Sequence, residues 1–300
     1  MIKPAWFAVF TALLIQPAGA DDALQPATSV APIQVGEAHT LETHDAPRRV
    51  NVLFPQGYDE SDATYPLVLL LDGGTKQDIF LGFGIERWNQ LWGRSEPAIL
   101  VGIETVDRQR ELLPPTRDEA EVERYPAAGE AEQFRAWIAE SVLPLLRRSY
   151  RHDGRAFLIG ESAAGHFVVQ TWIEAPELFE GYAALSPSMQ WNLQSLSRDF
   201  VVLPHRPRPP LFVSLADEGG ATQEGTLRLV DAAGPAICFA DRRATHVRHA
   251  NTLHQLLPEA LQFVLPTRAD WLSEYGMAVD CRKGEAGPVP PDSAYPDRRD

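Results

Sequence analysis

The segment Gly160–Gly165 (Gly-Glu-Ser-Ala-Ala-Gly) could hold a serine nucleophile on a sharp turn. It follows the apolar run Ala156–Ile159, which is typical of a buried strand, and it continues into a helical pattern. Small neighbours allow such a turn to lift a serine hydroxyl above the end of the strand. Ala164 replaces the last glycine of the usual G-x-S-x-G pattern but is still small. The pattern predicts Ser162 as a nucleophile, although a plain strand-to-helix turn capped by a serine fits the same residues.

A serine nucleophile needs a base within hydrogen-bond reach, and the base needs an acid that orients it. Two acids, Asp217 and Glu218, directly follow the predicted strand Pro210–Leu215. Three histidines follow the last predicted strand, and these are His246, His249 and His254. The order serine, acid, histidine along the chain is the one found with this type of elbow. The residues alone do not decide which acid and which histidine act.

The sequence also offers backbone N–H groups for an oxyanion hole. The run Tyr65–Asp72 is continuously apolar up to its last residue and is followed by Gly73 and Gly74. Such a run is typical of a strand buried on both faces of a parallel sheet. Flexible backbone at its carboxyl end could donate N–H groups to a developing negative charge, although a simple tight turn explains the glycines equally well.

Predicted strands and helices alternate along the chain. Further buried strands are predicted at Pro97–Ile103, Gly181–Leu185 and Ala236–Ala240, and two antiparallel strands at Ile33–Thr43 and Arg48–Phe54 precede the main sheet. Helices are predicted at Phe80–Trp92, Glu130–Tyr150 with a kink at Pro144, Thr222–Ala232, and Thr252–Leu265 with a bend at Pro258. Residues 104–129 are polar and rich in proline, which favours a long surface loop. This alternation predicts an α/β fold with a mostly parallel central sheet and helices on both faces.

The two ends of the chain have distinct compositions. Residues 1–20 combine Lys3, a short apolar run and a small-residue cleavage site, as in a secretory signal peptide, and the run is too short to span a bilayer. We therefore expect an exported protein, periplasmic or secreted, with residues 21–281 as one domain. Residues 282–300 hold four prolines and several charges, which favours a disordered tail.

The net charge and the motif content of the chain disfavour several kinds of partner and cofactor. The formal net charge of −14 disfavours nucleic acid as a partner, and no stretch after the signal is apolar enough for a membrane span. No glycine-rich phosphate loop and no metal-ligand spacing is present, so we expect neither a cofactor nor a metal. The two cysteines, Cys238 and Cys281, could form a disulfide in an oxidising compartment or remain unpaired thiols.

Several ordered motifs resemble one known family. They are Tyr65–Gly73; Val101–Ile103 followed by Arg108, Arg110, Glu111 and Pro114; Phe134–Pro144; Gly160–Gly165; Pro176–Phe179; and Leu185–Trp191. Across about Val50 to Leu265 the chain is similar to the Putative esterase family of α/β-hydrolases, which includes esterase D and the siderophore trilactone esterases. The resemblance implies the α/β-hydrolase fold.

The resemblance also implies roles for individual residues. It makes Ser162 the nucleophile and the Ala163 N–H one oxyanion donor, with a second donor from Gly73 or Gly74. Counting back from Glu259–Phe263, which resembles the family's closing helix, places the base on His249. The family's acid position is Gly219 here, and a shift by one residue makes Glu218 the acid in preference to Asp217. The Ser-Pro-Ser motif and Trp191 lie beside the active site in the family, so Trp191 is expected to bind substrate.

The function predicted from these residues is that of an exported serine esterase. Ser162 would attack a small-molecule carboxylic ester and form an acyl-enzyme that water cleaves. An acyltransferase uses the same residues with an alcohol in place of water. A catalytically inactive member of the fold that binds a ligand is the third reading, because Ala164 and Gly219 depart from the usual pattern.

Overall fold

Eight strands form one sheet in this protein, whose computed structural model describes residues 29–43, 46–201 and 208–279. The strands are β1 (Gly36–Leu41), β2 (Arg48–Leu53), β3 (Tyr65–Leu71), β4 (Ile99–Ile103), β5 (His152–Glu161), β6 (Gly181–Leu185), β7 (Leu211–Leu215) and β8 (Ile237–Asp241). Their order is β1-β2-β4-β3-β5-β6-β7-β8. The pairs β1–β2 and β2–β4 are antiparallel, and all other pairs are parallel. The predicted mostly parallel sheet is confirmed.

Nine α-helices accompany the strands in the described part of the chain. They are α1 (Ile79–Leu91), α2 (Arg108–Leu112), α3 (Glu119–Arg124), α4 (Ala131–Trp137), α5 (Leu143–Ser149), α6 (Ala163–Glu174), α7 (Trp191–Arg198), α8 (Gly220–Ala233) and α9 (Thr252–Val264). None of the helices that the structure describes is long and apolar enough to cross a bilayer.

The alternation of side chains along the central strands builds a separate hydrophobic core on each face of the sheet. In β3, Leu67, Leu69 and Leu71 enter one core, and Val68 and Leu70 enter the other. The first core includes apolar residues of α4, α5, α6 and α8. The second core includes residues of α1 and α9. Because both faces are covered, every residue of β3 is buried, as its unbroken apolar run predicts.

The helix predicted over Glu130–Tyr150 is divided into three pieces. Between α4 and α5 the backbone forms one wide π turn over Ile138–Val142. Pro144 has no N–H, and its ring would clash with the carbonyl of Glu140 in a regular helix. The wider turn accommodates the proline without ending the helix.

Residues 104–129 are more ordered than a surface loop. They contain α2 and α3, and Glu111, Leu112 and Leu113 are buried. Glu111 pairs with the buried Arg48 at 2.5 Å, which fixes α2 against β2. The prediction of one long surface loop over residues 104–129 is therefore wrong for its first half.

The direction of the chain across the sheet changes at β5. After β3 the chain moves outward to β4, whereas after β5 it moves to the other side through β6, β7 and β8. Crevices for ligands form at the carboxyl ends of strands where the order reverses in this way. The turn after β5 lies at this position.

The chain divides into two units, residues 1–34 and 35–300. In the first unit only residues 29–34 are described, and they form no regular secondary structure. The predicted signal peptide, the predicted C-terminal tail and Cys281 lie outside the described residues. No cysteine of the described part has a free thiol, and Cys238 is among the residues that take part in a contact.

Candidate active site

Ser162 occupies a strained turn between β5 and α6. Its backbone angles are φ 59° and ψ −115°, a combination that a residue with a side chain adopts only when its surroundings enforce it. Its N–H donates to the Leu185 carbonyl at 2.9 Å, and its carbonyl accepts the N–H groups of His166 and Ser188 at 2.9 and 3.0 Å. The ends of β6 and α6 thus hold the turn in place.

Small residues around the turn are required by the packing of strand against helix. A Cβ atom on Gly160 would lie 2.6 Å from the Ala164 carbonyl oxygen and 2.9 Å from its methyl group. A Cβ atom on Gly165 would lie 3.0 Å from Cα of Pro187. The Ala164 methyl is itself fully buried, so the elbow accepts alanine where the usual pattern has glycine.

Three residues from three different loops meet at the elbow. Ser162 Oγ lies 3.1 Å from His249 Nε2, and His249 Nδ1 lies 2.6 Å from Glu218 Oε1. Glu218 follows β7, and His249 begins the short 3-10 turn that leads into α9. The structure therefore brings together Ser162 with the histidine and the acid that the family resemblance implies.

Hydrogen bonds set the charges of the acid and the base. Burial favours the neutral form of Glu218, but bonds from His249, from backbone N–H and from Ser186 outweigh it and lower the pKa of its carboxyl. The bond to Glu218 raises the pKa of His249 above its usual 6.5, against the opposing effect of burial. An ionised Glu218 holds the imidazole with Nδ1 protonated, so that Nε2 faces Ser162 as an acceptor.

The other candidates have different positions. Asp217 Oδ1 accepts the backbone N–H of His249 at 2.7 Å, so this carboxylate fixes the histidine loop and does not touch the ring. His246 and His254 have exposed side chains, whereas the ring of His249 lies within hydrogen-bond distance of Ser162 Oγ. Gly219 does not leave the base without an acid, because Glu218 reaches it from the preceding position.

The oxyanion donors predicted from the sequence fit only in part. The Ala163 N–H is the first of α6, where N–H groups have no acceptor within the helix. The Gly73 N–H is bonded to the Ile103 carbonyl at 2.8 Å, so the prediction of Gly73 as a donor is wrong. Glycine is needed there because β4 is close, since a Cβ atom would lie 2.3 Å from Cα of Gly102.

The N–H of Gly74 is also engaged in this conformation. It donates to Oε1 of Gln77 at 2.8 Å, and the Gln77 amide donates in turn to Thr105. Gly74 becomes a donor for an oxyanion only if the Gln77 side chain releases it. The prediction for Gly74 therefore does not hold for this arrangement of the loop.

Trp191 does not offer its ring to a substrate. It is only 2% exposed, its indole N–H donates to the Pro114 carbonyl at 2.9 Å, and its ring contacts Tyr125. The following residue, Asn192, is bonded to Glu121 and Arg117. The prediction of Trp191 as a substrate-binding residue is wrong, because residues 113–129 cover it.

The site also contains an ion pair that the sequence did not single out as functional. Arg108 donates through Nε to Asp72 Oδ2 at 2.7 Å and through Nη2 to the Glu161 carbonyl at 3.1 Å. Thr105 holds the second oxygen of Asp72. Arg108 thereby ties the end of β3 to the elbow. The family motif contains this arginine, but its partner could not be inferred from spacing.

The Ser-Pro-Ser motif after β6 contributes two further hydroxyl groups. Ser186, at φ 43°, is fully buried, accepts the Ala216 N–H at 3.3 Å and helps to hold Glu218 ionised. Ser188 Oγ lies 3.4 Å from Ser162 Oγ. The position of the motif directly after a central strand was the available signal for these contacts.

Within residues 29–43, 46–201 and 208–279, no group of three or more His, Cys, Asp or Glu side chains could hold a metal ion.

Comparison with known proteins identifies relatives of the chain. Residues 42–211 match the model of the family described as Putative esterase. The ferri-bacillibactin esterase BesA of Bacillus subtilis (strain 168) is 32% identical over 175 residues. That match covers 51% of this chain and 59% of the relative, so somewhat more than half of the relative's length is matched.

Solved structures share the fold at lower identity. An IroE-like serine hydrolase from Shewanella oneidensis is 21% identical with a TM-score of 0.66, covering 76% of this chain and 79% of that one. The siderophore hydrolase EstA from Aspergillus nidulans is 22% identical with a TM-score of 0.65, covering 79% and 97%. The family match spans more than half of the sequence, and this chain belongs to the Putative esterase family of α/β-hydrolases.

Proposed function

We propose that the protein is a serine carboxylic-ester hydrolase that acts through an acyl-enzyme on Ser162. The observation that carries the proposal is the continuous hydrogen-bond chain from Ser162 through His249 to Glu218. Family membership supports the same reaction class.

The reaction follows from the directions of these bonds. Ser162 Oγ attacks the ester carbonyl while its proton passes to His249 Nε2, and the imidazolium is stabilised by the ionised Glu218. The bond from the acyl carbon to the alcohol oxygen then breaks, and the alcohol leaves with the proton from Nε2. Water repeats the sequence on the acyl-enzyme and releases the acid. The Ala163 N–H would stabilise the oxyanion, and one such donor is typically worth about 3 kcal/mol.

We propose an ester of a siderophore as the natural substrate. This rests on two of the proteins to which the chain is similar, a ferri-bacillibactin esterase and a siderophore hydrolase. Hydrolysis of ferri-bacillibactin, followed by chromatography, tests the substrate separately from the activity. Turnover of simple esters without any cleavage of ferri-bacillibactin would count against this substrate and leave the esterase proposal standing.

We also propose that the protein is exported. The support is the composition of residues 1–20, with a positive start, an apolar run and a small-residue end. Expression of the full chain, followed by cell fractionation and N-terminal sequencing, tests this. A mature N-terminus near Asp21 outside the cytoplasm is the expected result, and an intact Met1 in the cytoplasm contradicts the proposal.

The activity is tested with a short-chain p-nitrophenyl ester. We expect turnover by the purified protein and loss of that turnover in Ser162→Ala and in His249→Ala, with unchanged melting temperatures. His254→Ala is the matched control, because this histidine is exposed on α9. Equal rates in the wild type and Ser162→Ala would contradict the proposal. Added alcohols reveal whether acyl transfer competes with hydrolysis.

A further inference from the structure

The second serine of the Ser-Pro-Ser motif lies against the reacting oxygen. We propose that Ser188 is a further catalytic residue, whose hydroxyl directs the Ser162 proton towards His249 and then donates to the alcohol oxygen that leaves. The inference rests on the proposed function of Ser162 as nucleophile. It concerns a residue to which the reaction as described so far gives no role.

The distances place two partners around the nucleophile. Ser162 Oγ lies 3.1 Å from His249 Nε2 and 3.4 Å from Ser188 Oγ. Both serine residues are partly exposed, so a substrate can reach Ser162 Oγ and Ser188 Oγ.

The direction of the hydrogen bonds can be derived from the acid outward. The ionised Glu218 can only accept, so His249 Nδ1 carries a proton and Nε2 of the neutral ring is an acceptor. Ser162 must then donate to Nε2. Its oxygen has lone pairs left, and the Ser188 hydroxyl fills one of them as a donor. The chain therefore runs from Ser188 through Ser162 and His249 to Glu218, and it leaves the Ser162 proton directed towards Nε2.

Ser188 is held rigidly in this position. Its N–H donates to the Ser162 carbonyl at 3.0 Å, and its carbonyl accepts the Nδ1 proton of His166 at 2.9 Å. His166 is fully buried, and burial lowers its pKa to about 4, so the ring is neutral near pH 7. Both backbone groups of Ser188 are therefore bonded to α6 or to the turn before it, and this leaves the hydroxyl free to contact reacting atoms.

The topology places Ser188 on the same side of the elbow as the acid and the base. Ser188 follows β6, which is the neighbour of β5 on the side opposite to β3. The acid and the base follow β7 and β8, which lie beyond β6 on that side. Ser188 therefore lies on the side of β5 from which His249 would deliver the proton to the leaving alcohol.

The reaction gives the hydroxyl a new acceptor. When Ser162 Oγ bonds to the carbonyl carbon, it becomes an ester-like oxygen and a poorer acceptor. The leaving alcohol oxygen is bonded to that same carbon and gathers negative charge as its bond breaks. Ser188 then donates a hydrogen bond to the alcohol oxygen, while the proton itself comes from His249 Nε2. No proton is transferred by Ser188, so the products are unchanged.

The test compares leaving groups of different basicity. An alkyl alcohol is a poor leaving group and needs the hydrogen bond, whereas p-nitrophenolate leaves readily without it. For Ser188→Ala we expect kcat/KM to fall roughly fivefold with a p-nitrophenyl ester and on the order of a hundredfold with the ethyl ester of the same acid. Ser188→Thr keeps a hydroxyl and should restore much of the loss with the ethyl ester. Ser188→Val has the shape of threonine without the hydroxyl and should behave like alanine.

The outcomes separate this inference from the proposed function. A wild type that neither hydrolyses esters nor reacts with a fluorophosphonate at Ser162 means that the proposed function fails. If the wild type is active and Ser188→Ala loses the same fraction of kcat/KM with both esters, Ser188 has only a structural role and the inference is overturned. The inference is also overturned if Ser188→Ala loses no activity with either ester. In both cases the proposed function stands. If Ser188→Ala fails to fold, Ser188→Thr and Ser188→Val are compared instead. The same ratio of kcat/KM between the two esters in these variants would contradict a catalytic role for the Ser188 hydroxyl. Ser149→Ala, an exposed serine at the end of α5, is the control.

Discussion

Glu218 and Asp217 are neighbours in sequence, but only Glu218 reaches the imidazole. The longer glutamate side chain contacts His249 Nδ1, while Asp217 holds the backbone of the same residue. A neutral amide at position 218 would remove the charge that stabilises the imidazolium. We predict that Glu218→Gln lowers kcat by roughly 10³-fold to 10⁴-fold, measured with a p-nitrophenyl ester. Asp217→Asn keeps an acceptor for the His249 N–H and should lose far less kcat. Equal losses of kcat in the two variants would contradict the assignment of Glu218 as the acid.

The pH dependence of activity follows from the same contact. His249 must be neutral to accept the Ser162 proton, and its pKa is raised above 6.5, mainly by the bond to Glu218. Activity should therefore be lost as pH falls through a value above 6.5. Glu218→Gln removes the contact that raises the pKa of His249. The acid limb of the kcat/KM profile should therefore move to lower pH, and the maximal kcat/KM should fall. An unmoved limb would show that another group controls it.

The elbow depends on close packing between β5 and α6. An added Cβ at Gly160 would lie 2.6 Å from the backbone oxygen of Ala164, and backbone cannot move aside as a flexible side chain can. We predict that Gly160→Ala lowers the free energy of unfolding by roughly 2 kcal/mol or more, measured by urea denaturation.

Gly84 in α1 offers a matched control for this substitution. It has no atom within 4 Å of an added Cβ and is exposed in the helix. Gly84→Ala should stabilise the protein by up to about 1 kcal/mol. Similar effects at both glycines would contradict the packing argument.

The turn that opens α7 has strained, left-handed backbone. Asn192, Leu193 and Gln194 have consecutive positive φ values, and left-handed backbone costs roughly 1–2 kcal/mol for a residue with a Cβ. Leu193 is half exposed, so glycine there relieves strain and loses little packing. We predict that Leu193→Gly stabilises the protein by about 1 kcal/mol in thermal or urea denaturation. Ser195→Gly, in the right-handed part of the same element, should destabilise it by a few tenths of a kcal/mol.

The sequence predicted the elements with an unbroken pattern and missed contacts between distant segments. Ser162 is indicated by small residues within one short stretch, and the unbroken apolar runs identify the central strands. Gly73 was misassigned because its N–H bonds to β4, and no pattern near Gly73 shows that pairing. Trp191 was misassigned because its burial depends on residues 113–129. The choice between Asp217 and Glu218 required side-chain directions that spacing does not contain.

Across the whole molecule, a buried acid far from the elbow should make stability depend on pH. Glu86 of α1 is 1% exposed and accepts the Ala98 N–H at 3.3 Å, and burial raises the pKa of its carboxyl to about 7. The folded state therefore binds this proton more tightly than the unfolded state. The stability contributed by Glu86 is complete below about pH 4.5 and is lost as pH rises through 7.

Replacing this acid by its amide isolates the effect. We predict that Glu86→Gln changes stability little at pH 4.5 and raises it by about 3 kcal/mol at pH 8.5, where the wild type must hold a buried charge. Urea denaturation at both pH values measures the difference. A variant of Glu86 that gains no stability at high pH relative to the wild type would contradict the assignment.

The proposed reaction requires His249 and Glu218 to activate Ser162 as a nucleophile. The most direct measurement is reaction with a fluorophosphonate probe, followed by mass spectrometry of the peptides. We predict one adduct on the peptide that contains Ser162, and much slower labelling in His249→Ala and Glu218→Gln. Absence of an adduct in the wild type, or an adduct on a different serine, would contradict it.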